Sequence, residues 1–466
     1  MDALTRIPPT ALTALTALTA DLGRFIADMP AHALPAQAIA TIRRGIADTV
    51  GVAFASVGEP VLRHARDLIT LGPTGQARVW TEGGFAASAD AAFMNAVAGH
   101  ALDFDDTGLD GHPSVVLAPV VLAEAERLGA DWAAAVTAYA AGYEVWAELL
   151  GRDADKHHGK GWHPTAVFGA VACAAASACL RRLDAQRSAH ALGIAASMSA
   201  GLVANFGSMT KPLQVGFAAR NGILAAHLAE QGLTASHDAL ESPRGFLAAI
   251  SPRGDVRLHS PIHAGTPWQM LEQGLNIKRY PVCYATHRII DAALELQPHV
   301  ADRLDAIEAV VATLGQLQAD MLRSSRPTNG LDAKFSAEYT IACALARGHV
   351  HLQDLSDDAV NDTIVQALLR KVRVEIATER DALEPLFSPQ DLLSVRLTDG
   401  TTLDAEPVRR ARGHASRPVS DQELQDKFRA CARMSLDDAQ ASVWWEAAMA
   451  APERLVTWPD SPGSVR

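Results

Sequence analysis

The sequence is poor in features that mark several large classes of protein. Its 466 residues hold five cysteines, Cys173, Cys179, Cys283, Cys343 and Cys431, and no CxxC pair. The count is odd and each thiol sits in an apolar or Ala-rich context, which points to reduced, buried cysteines. A disulfide framework is excluded, as is an iron–sulfur cluster, which needs several clustered thiolates. Cysteine usage of this kind fits a cytoplasmic protein. Basic residues are also in deficit: Lys and Arg number 41 against 53 Asp and Glu, a formal charge of −12. No arginine-rich run or RNA-binding signature offsets this, so nucleic acid is not an expected partner. Long apolar runs rich in Leu, Ile and Phe are missing too. Residues 164–180 and 191–210 approach membrane-spanning length but are dominated by Ala, Gly and Ser, so insertion would gain little. They read as buried helices, with no membrane partner. The first residues, MDALTRIPPT, lack a basic stretch followed by an unbroken apolar core, and residues 1–20 read as a low-complexity tail.

What is present is helical periodicity. From about residue 21 to 247, apolar positions recur at spacings of three and four, with one weak strand candidate at 77–81. Residues 185–206 read as a small-residue helix, apolar on nearly every side. The texture changes after about residue 263. Residues 305–314 and 371–378 alternate apolar and polar side chains, and 392–397 and 401–405 flank an Asp399-Gly400 turn, a hairpin signal. Helices are expected at 286–296, 337–347 and 358–368. Helical pattern returns after about residue 420. The fold class is therefore mainly α with an α+β second domain. A large helical domain is expected over 21–265 and 410–466, and a smaller α+β lid over 266–409 is inserted into it. A cleft between two such units is a usual place for a small-molecule site.

Several stretches carry candidate chemistry. The segment NAVAGHALDFDDTGLDGHP (95–113) places Asp103, Asp105, Asp106 and Asp110 between His100 and His112. A solvated acidic loop is the plain reading. A carboxylate beside a histidine also fixes its tautomer and raises its basicity, which suits proton transfer. Hard cations such as Mg²⁺ would be an alternative use of the carboxylates. In GKGWHPT, His163 precedes Pro164 and therefore stands at a helix N-terminus, where the dipole favours a neutral imidazole and nearby anions. In GSMTKPLQVG, Lys211 again precedes a proline. The GxxxxGK spacing of a P-loop is absent. NIKRYPVCYATH supplies Lys278, Cys283 and His287. KFSAEYT sets Tyr339 at the start of an apolar helix, where a buried tyrosine with a satisfied hydroxyl is the default.

These motifs together resemble the MmgE/PrpD family, from about residue 21 to 449. The resemblance rests on the opening FIADMPAHALPAQAIATIRRGIADTVGVAFAS, then HALDFDDT, HPS, GYEV, GWHPTAVFG, MTKPLQVGFAARNG, IKRYPVC and KFSAEY. It implies a helical domain with an α+β lid, a homodimer, and an interfacial active site with no metal or organic cofactor. Carried over by motif, it implies Asp103, His112, His163 and Tyr339 as catalytic, with Thr107, Lys211 and Lys278 binding substrate; Cys283, in the same IKRYPVC motif as Lys278, is expected to bind substrate too. Cys283 departs from the decarboxylase branch, which has a histidine there. The shared chemical problem is a proton next to a carboxylate, whose removal builds a dianionic aci-carboxylate that fixed cations stabilise. The expected activity is a hydro-lyase on a citrate-like or 2-methylcitrate-like polycarboxylate. Epimerisation of an imino- or amino-dicarboxylate and cis-aconitate-type decarboxylation are the alternatives, and a non-catalytic carboxylate binder is the remaining one.

Overall fold

The computed structural model describes residues 17–29 and 33–459. The tail expected over 1–20 lies, up to residue 16, outside the described residues. The larger unit is built around the Pro164–Leu180 helix, all of whose residues are buried. Its side chains are mostly Ala, so helices can approach from every side. The helices Pro113–Leu128, Trp132–Leu150, Ala185–Ser197 and Thr210–Glu230 all pack on it. Glycine sets the closest approaches. A Cβ on Gly222 would lie 2.2 Å from the Cβ of Cys173 and 2.7 Å from its carbonyl carbon. From the Trp132–Leu150 helix, a Cβ on Gly142 would lie 2.7 Å from the Ala172 oxygen.

Two local expectations change. The strand candidate forms β1 (Ala77–Val79), but it pairs antiparallel with β2 (Gly84–Ala86), a strand too short to show in the sequence pattern. The helix expected over 185–206 stops at Ser197. The Asn221 side chain donates to the Met198 carbonyl, and Gly207 takes a left-handed φ of 80°. That early stop turns the chain so that Phe206 reaches the cavity described below.

In the smaller unit, β3 (Ile307–Gly315) pairs parallel with β4 (Val372–Ala377) and antiparallel with β5 (Leu392–Leu397). β5 pairs antiparallel with β6 (Thr402–Asp404), giving the order β4-β3-β5-β6. Alternation on β5 buries Leu393, Val395 and Leu397. These meet Ile289 and Ile290 of the His287–Val300 helix and Ile341 of Ala337–Arg347 in one core. The helix expected over 358–368 is two short pieces, Asp357–Val360 and Thr363–Leu369. Asp362 breaks it by capping the backbone N–H groups of Ile364 and Val365. The chain then returns through Asp421–Ala432 and Asp438–Ala448, which pack on Ala36–Ala55 and place Phe428 and Trp444 in the larger unit's core. Among the described residues no single helix is long and apolar enough to cross a membrane. The architecture is mainly α with a smaller α+β region.

Because Gly222 faces backbone, its neighbour cannot rotate away. Gly222→Val should destabilise the fold by about 1–3 kcal/mol or more, read as a lowered Tm. An unchanged Tm would mean the central helices have slack.

Candidate active site

The site begins where the Ser88–His100 helix ends. The chain enters a loop in which Asp103, Asp105 and Asp106 are all buried. Asp103 has a left-handed φ of 54°, a conformation that costs a non-glycine residue of order 1 kcal/mol. Two ammonium groups hold it there. Lys211 Nζ donates to Asp103 Oδ1 at 2.8 Å. Lys278 Nζ donates to the Asp103 carbonyl at 2.6 Å and to Oδ1 at 3.1 Å. Lys211 comes from the first turn of Thr210–Glu230. Lys278 comes from the segment joining the two units, which is registered against the loop by paired Thr107–Asn276 backbone bonds of 2.9 and 2.8 Å.

The four carboxylates of this loop have different fates. Burial alone would raise the Asp103 carboxyl, but Lys211, Lys278 and the neighbouring imidazoles hold it well below the usual range. Asp105 is also lowered against burial, by His100 and His112. Its Oδ1 and Oδ2 lie 2.9 and 3.0 Å from His100 Nδ1, and Oδ2 lies 2.9 Å from His112 Nδ1. Burial and the nearby Asp48 push Asp106 well up. Asp106 is bound by Ser114 at the start of Pro113–Leu128 and serves to anchor the loop. Asp110 sits at the tip of a tight turn. Leu109 and Asp110 both have positive φ, and Gly108 and Gly111 exchange backbone bonds of 2.9 and 2.8 Å, the pattern of a type I′ turn. The Asp110 carboxylate pairs with Lys156 at 2.7 Å.

Three imidazoles face this cluster. His112 Nε2 is 3.7 Å from Asp103 Oδ1. Burial lowers its pKa to about 4, although Asp105 pulls the other way. His163, the residue before Pro164, is lowered well below the usual value by burial, then by His100 and Lys211. Its Nδ1 meets Gln214 Oε1 at 2.8 Å, and its Nε2 is buried with no partner. His100 packs edge-on to His112 at 4.5 Å between ring centroids and lies 6.1 Å from His163. Lys211 Nζ also lies 4.9 Å from the Phe206 ring and 5.3 Å from Phe335.

These groups line a cavity of about 360 Å³ between the two units. Asp103, Thr107, His112, His163, Lys211, Lys278 and Cys283 all open onto it, with His158 and Lys156 nearer the loop tip and Phe387 from the smaller unit. Burial raises the Cys283 thiol, so it is a neutral lining group. Tyr339 does not join them. Its ring is in the core of the smaller unit, and its hydroxyl donates to the Asp354 carbonyl. The catalytic role expected of it is therefore withdrawn, because the helix turns this side chain inward onto a buried carbonyl. Two groups on the inner side of the cluster, Asp105 and Gln214, were not singled out for a role in the sequence. Gln214 stands three residues after Lys211, hence on the same helix face.

His100, Asp103, Asp105 and His112 each bring one ligand atom within 4.8 Å of the others, dense enough for a metal. Charge opposes that use. Lys211 and Lys278 already neutralise Asp103, and a dication placed there would face both ammonium groups at close range.

The MmgE/PrpD N-terminal domain matches residues 20–259, and the MmgE/PrpD C-terminal domain matches residues 280–451. The chain belongs to the MmgE/PrpD family. It is 30% identical over 415 residues to a cis-aconitate decarboxylase of Mus musculus, covering 84% of this chain and 82% of the relative. It is 32% identical over 362 residues to that of Homo sapiens, covering 74% and 73%. It is 26% identical over 456 residues to that of Aspergillus terreus, covering 92% and 91%.

The buried site makes stability depend on pH. His112, His158 and His163 all have folded-state pKa values below the ordinary 6.5, with His158 also near 4 through burial. The unfolded chain therefore binds protons first as pH falls, so stability is full above about 6.5 and declines toward 4. Asp103, also lowered, adds a loss below about pH 4. Asp106, Glu126 and Asp391, raised by burial, act in the opposite sense over this window, so the imidazole share is read as a difference: between pH 7 and 4, His163→Gln should lose less Tm than the wild type. The same pH dependence in both would contradict a neutral buried His163.

Proposed function

We propose that this protein is a lyase that decarboxylates cis-aconitate or a close unsaturated tricarboxylate, with no metal or organic cofactor. The observation that carries the reading is the buried Asp103–Lys211–Lys278 cluster with two neutral imidazoles opening onto one cavity. The decarboxylase names of the relatives favour this reaction over the dehydration expected at first.

The chemistry balances as trianion plus one proton giving dianion plus CO₂. The leaving carboxylate sits on the carbon beside the alkene. As the C–C bond breaks, its electron pair forms the new alkene. The old alkene pair moves to the far carbon and spreads into that carbon's carboxylate. Lys211 and Lys278 can donate to those oxygens as charge develops, and Thr107 adds a hydroxyl. A proton then closes the far carbon. His112 and His163 are placed to supply it.

Their neutrality fixes when that proton arrives. Lys211 and Lys278 are balanced by Asp103 and Asp105, so the inner pocket offers a trianion little net positive charge. An anion against a buried imidazole raises its pKa. Substrate binding therefore loads the proton that the reaction consumes.

Dehydration keeps one specific observation on its side. Cys283 occupies the position where the decarboxylase branch has a histidine, so one acid of that branch is replaced by a neutral thiol.

Incubation with cis-aconitate should release CO₂ and form an unsaturated dicarboxylate. His163→Ala and His112→Ala should each lower kcat by about 10²–10⁴. Turnover of 2-methylcitrate without CO₂ release would replace this reading with dehydration. Near-normal kcat in either variant would remove that histidine from the mechanism. Binding of an unreactive tricarboxylate at pH 7 should take up protons, seen as a buffer-dependent calorimetric heat. Buffer-independent heat would contradict loading by the substrate. EDTA should leave turnover unchanged; loss restored by Mg²⁺ would contradict the metal-free chemistry.

A further inference from the structure

The proton chemistry above needs each histidine to present a lone pair to the cavity, and the structure shows how His112 is made to do so. Asp105 is fully buried and contacts two imidazoles at once, both through Nδ1. An ionised carboxylate accepts only. His100 Nδ1 is hydrogen-bonded to Asp105 and so carries its proton there. His112 Nδ1 lies 2.9 Å from Asp105 Oδ2 but makes no hydrogen bond to it; an ionised carboxylate that close still favours a proton on that nitrogen, which leaves Nε2 as the basic one. On His112 that nitrogen is the one near Asp103. On His100 it is buried and without a partner. His163 reaches the same tautomer by another route, since an amide oxygen, Gln214 Oε1, accepts from its Nδ1.

We propose that Asp105 is the positioning residue of this site: hydrogen-bonded to His100 and in close charge contact with His112 Nδ1, it biases His112 toward a lone pair on Nε2 and holds that ring near Asp103. His100 is the second arm of the lock. It closes the other side of the carboxylate and keeps solvent from competing for it. Asp105 touches neither the cavity nor the substrate and acts only through His112.

Replacing Asp105 by Asn is a sharp perturbation. An amide offers one acceptor and one donor, so it satisfies one imidazole as before and forces the other to accept at Nδ1. That moves the proton to Nε2, the wrong nitrogen. Loss of the aspartate in a Ser-His-Asp triad costs about 10⁴ in kcat by this route. The charged and titratable groups facing His112 are Asp103 and Asp105 from the loop, His100 from the Ser88–His100 helix, Lys278 from the joining segment and His163 from the start of Pro164–Leu180. Of these, Asp105 is the largest one favouring the imidazolium. Without its charge His112 titrates at lower pH.

The choice of substrate rests on the proposed decarboxylase activity, whereas the tautomer does not, so two measurements are paired. In the full-length protein labelled with ¹⁵N-histidine, ring-nitrogen shifts assigned through His112→Gln should show His112 protonated at Nδ1 at pH 7 without substrate. With cis-aconitate, Asp105→Asn should lower kcat by about 10²–10⁴ with KM within about threefold. It should also move the alkaline limb of the kcat/KM profile, set by the imidazolium that gives up the proton, to lower pH. A His112 protonated at Nε2 in the wild type overturns the proposal, even if the Asn variant does not fold. So does an Asp105→Asn enzyme with an unmoved alkaline limb and tautomer. A wild type with the Nδ1 tautomer but no turnover of cis-aconitate refutes the substrate reading and supports the positioning role.

Discussion

One buried carboxylate organises this molecule. Asp103 is held in a left-handed backbone conformation by two lysines, one from the larger unit and one from the segment leading into the smaller. The lysines satisfy its charge, and Lys278 also binds its backbone carbonyl. In return Asp103 is what makes two buried ammonium groups tolerable. Removing any member would leave an uncompensated charge in the interior, typically a loss of 3–5 kcal/mol. The cost of building such a cluster is spent on geometry: two cations point into one small cavity and cannot turn outward to water.

That arrangement also resolves a conflict set by the overall charge. A chain with a formal charge of −12 repels anions on average. A substrate with several carboxylates needs local compensation, and here it is nearly cancelled by Asp103 and Asp105. On the proposed function the shortfall is met by imidazoles that burial keeps neutral, and the proton needed for chemistry would enter with the anion that calls for it.

Much of this was legible in the sequence because it lies in short, local signals. Pro164 and Pro212 mark helix starts and so place His163 and Lys211 at N-termini. The alternation over 305–314, 371–378 and 392–397 marks β3, β4 and β5 almost at their observed ends, with Asp399-Gly400 as the hairpin turn. What was not legible depends on partners distant in the chain. Asp103, Asp105, Asp106 and Asp110 look alike in the string LDFDDTGLD. Only the folded neighbours (two lysines, two histidines, a serine and Lys156) distinguish them. Tyr339 shows the reverse case: its motif is local, but the face it occupies is set by the Asp354 carbonyl, fifteen residues on. The Ala185–Ser197 helix ends early, and Asn221 satisfies the Met198 carbonyl just past its end, a contact from another helix that no periodicity reports.

In the proposed reaction buried imidazoles deliver one proton to carbon as carboxylate leaves. Turnover of cis-aconitate in D₂O, followed by NMR of the product, should place one deuteron per CO₂ released on the carbon that was the far end of the alkene, in one stereochemical sense. A product with no deuteron at that carbon, or one formed with every carboxylate retained, would contradict it.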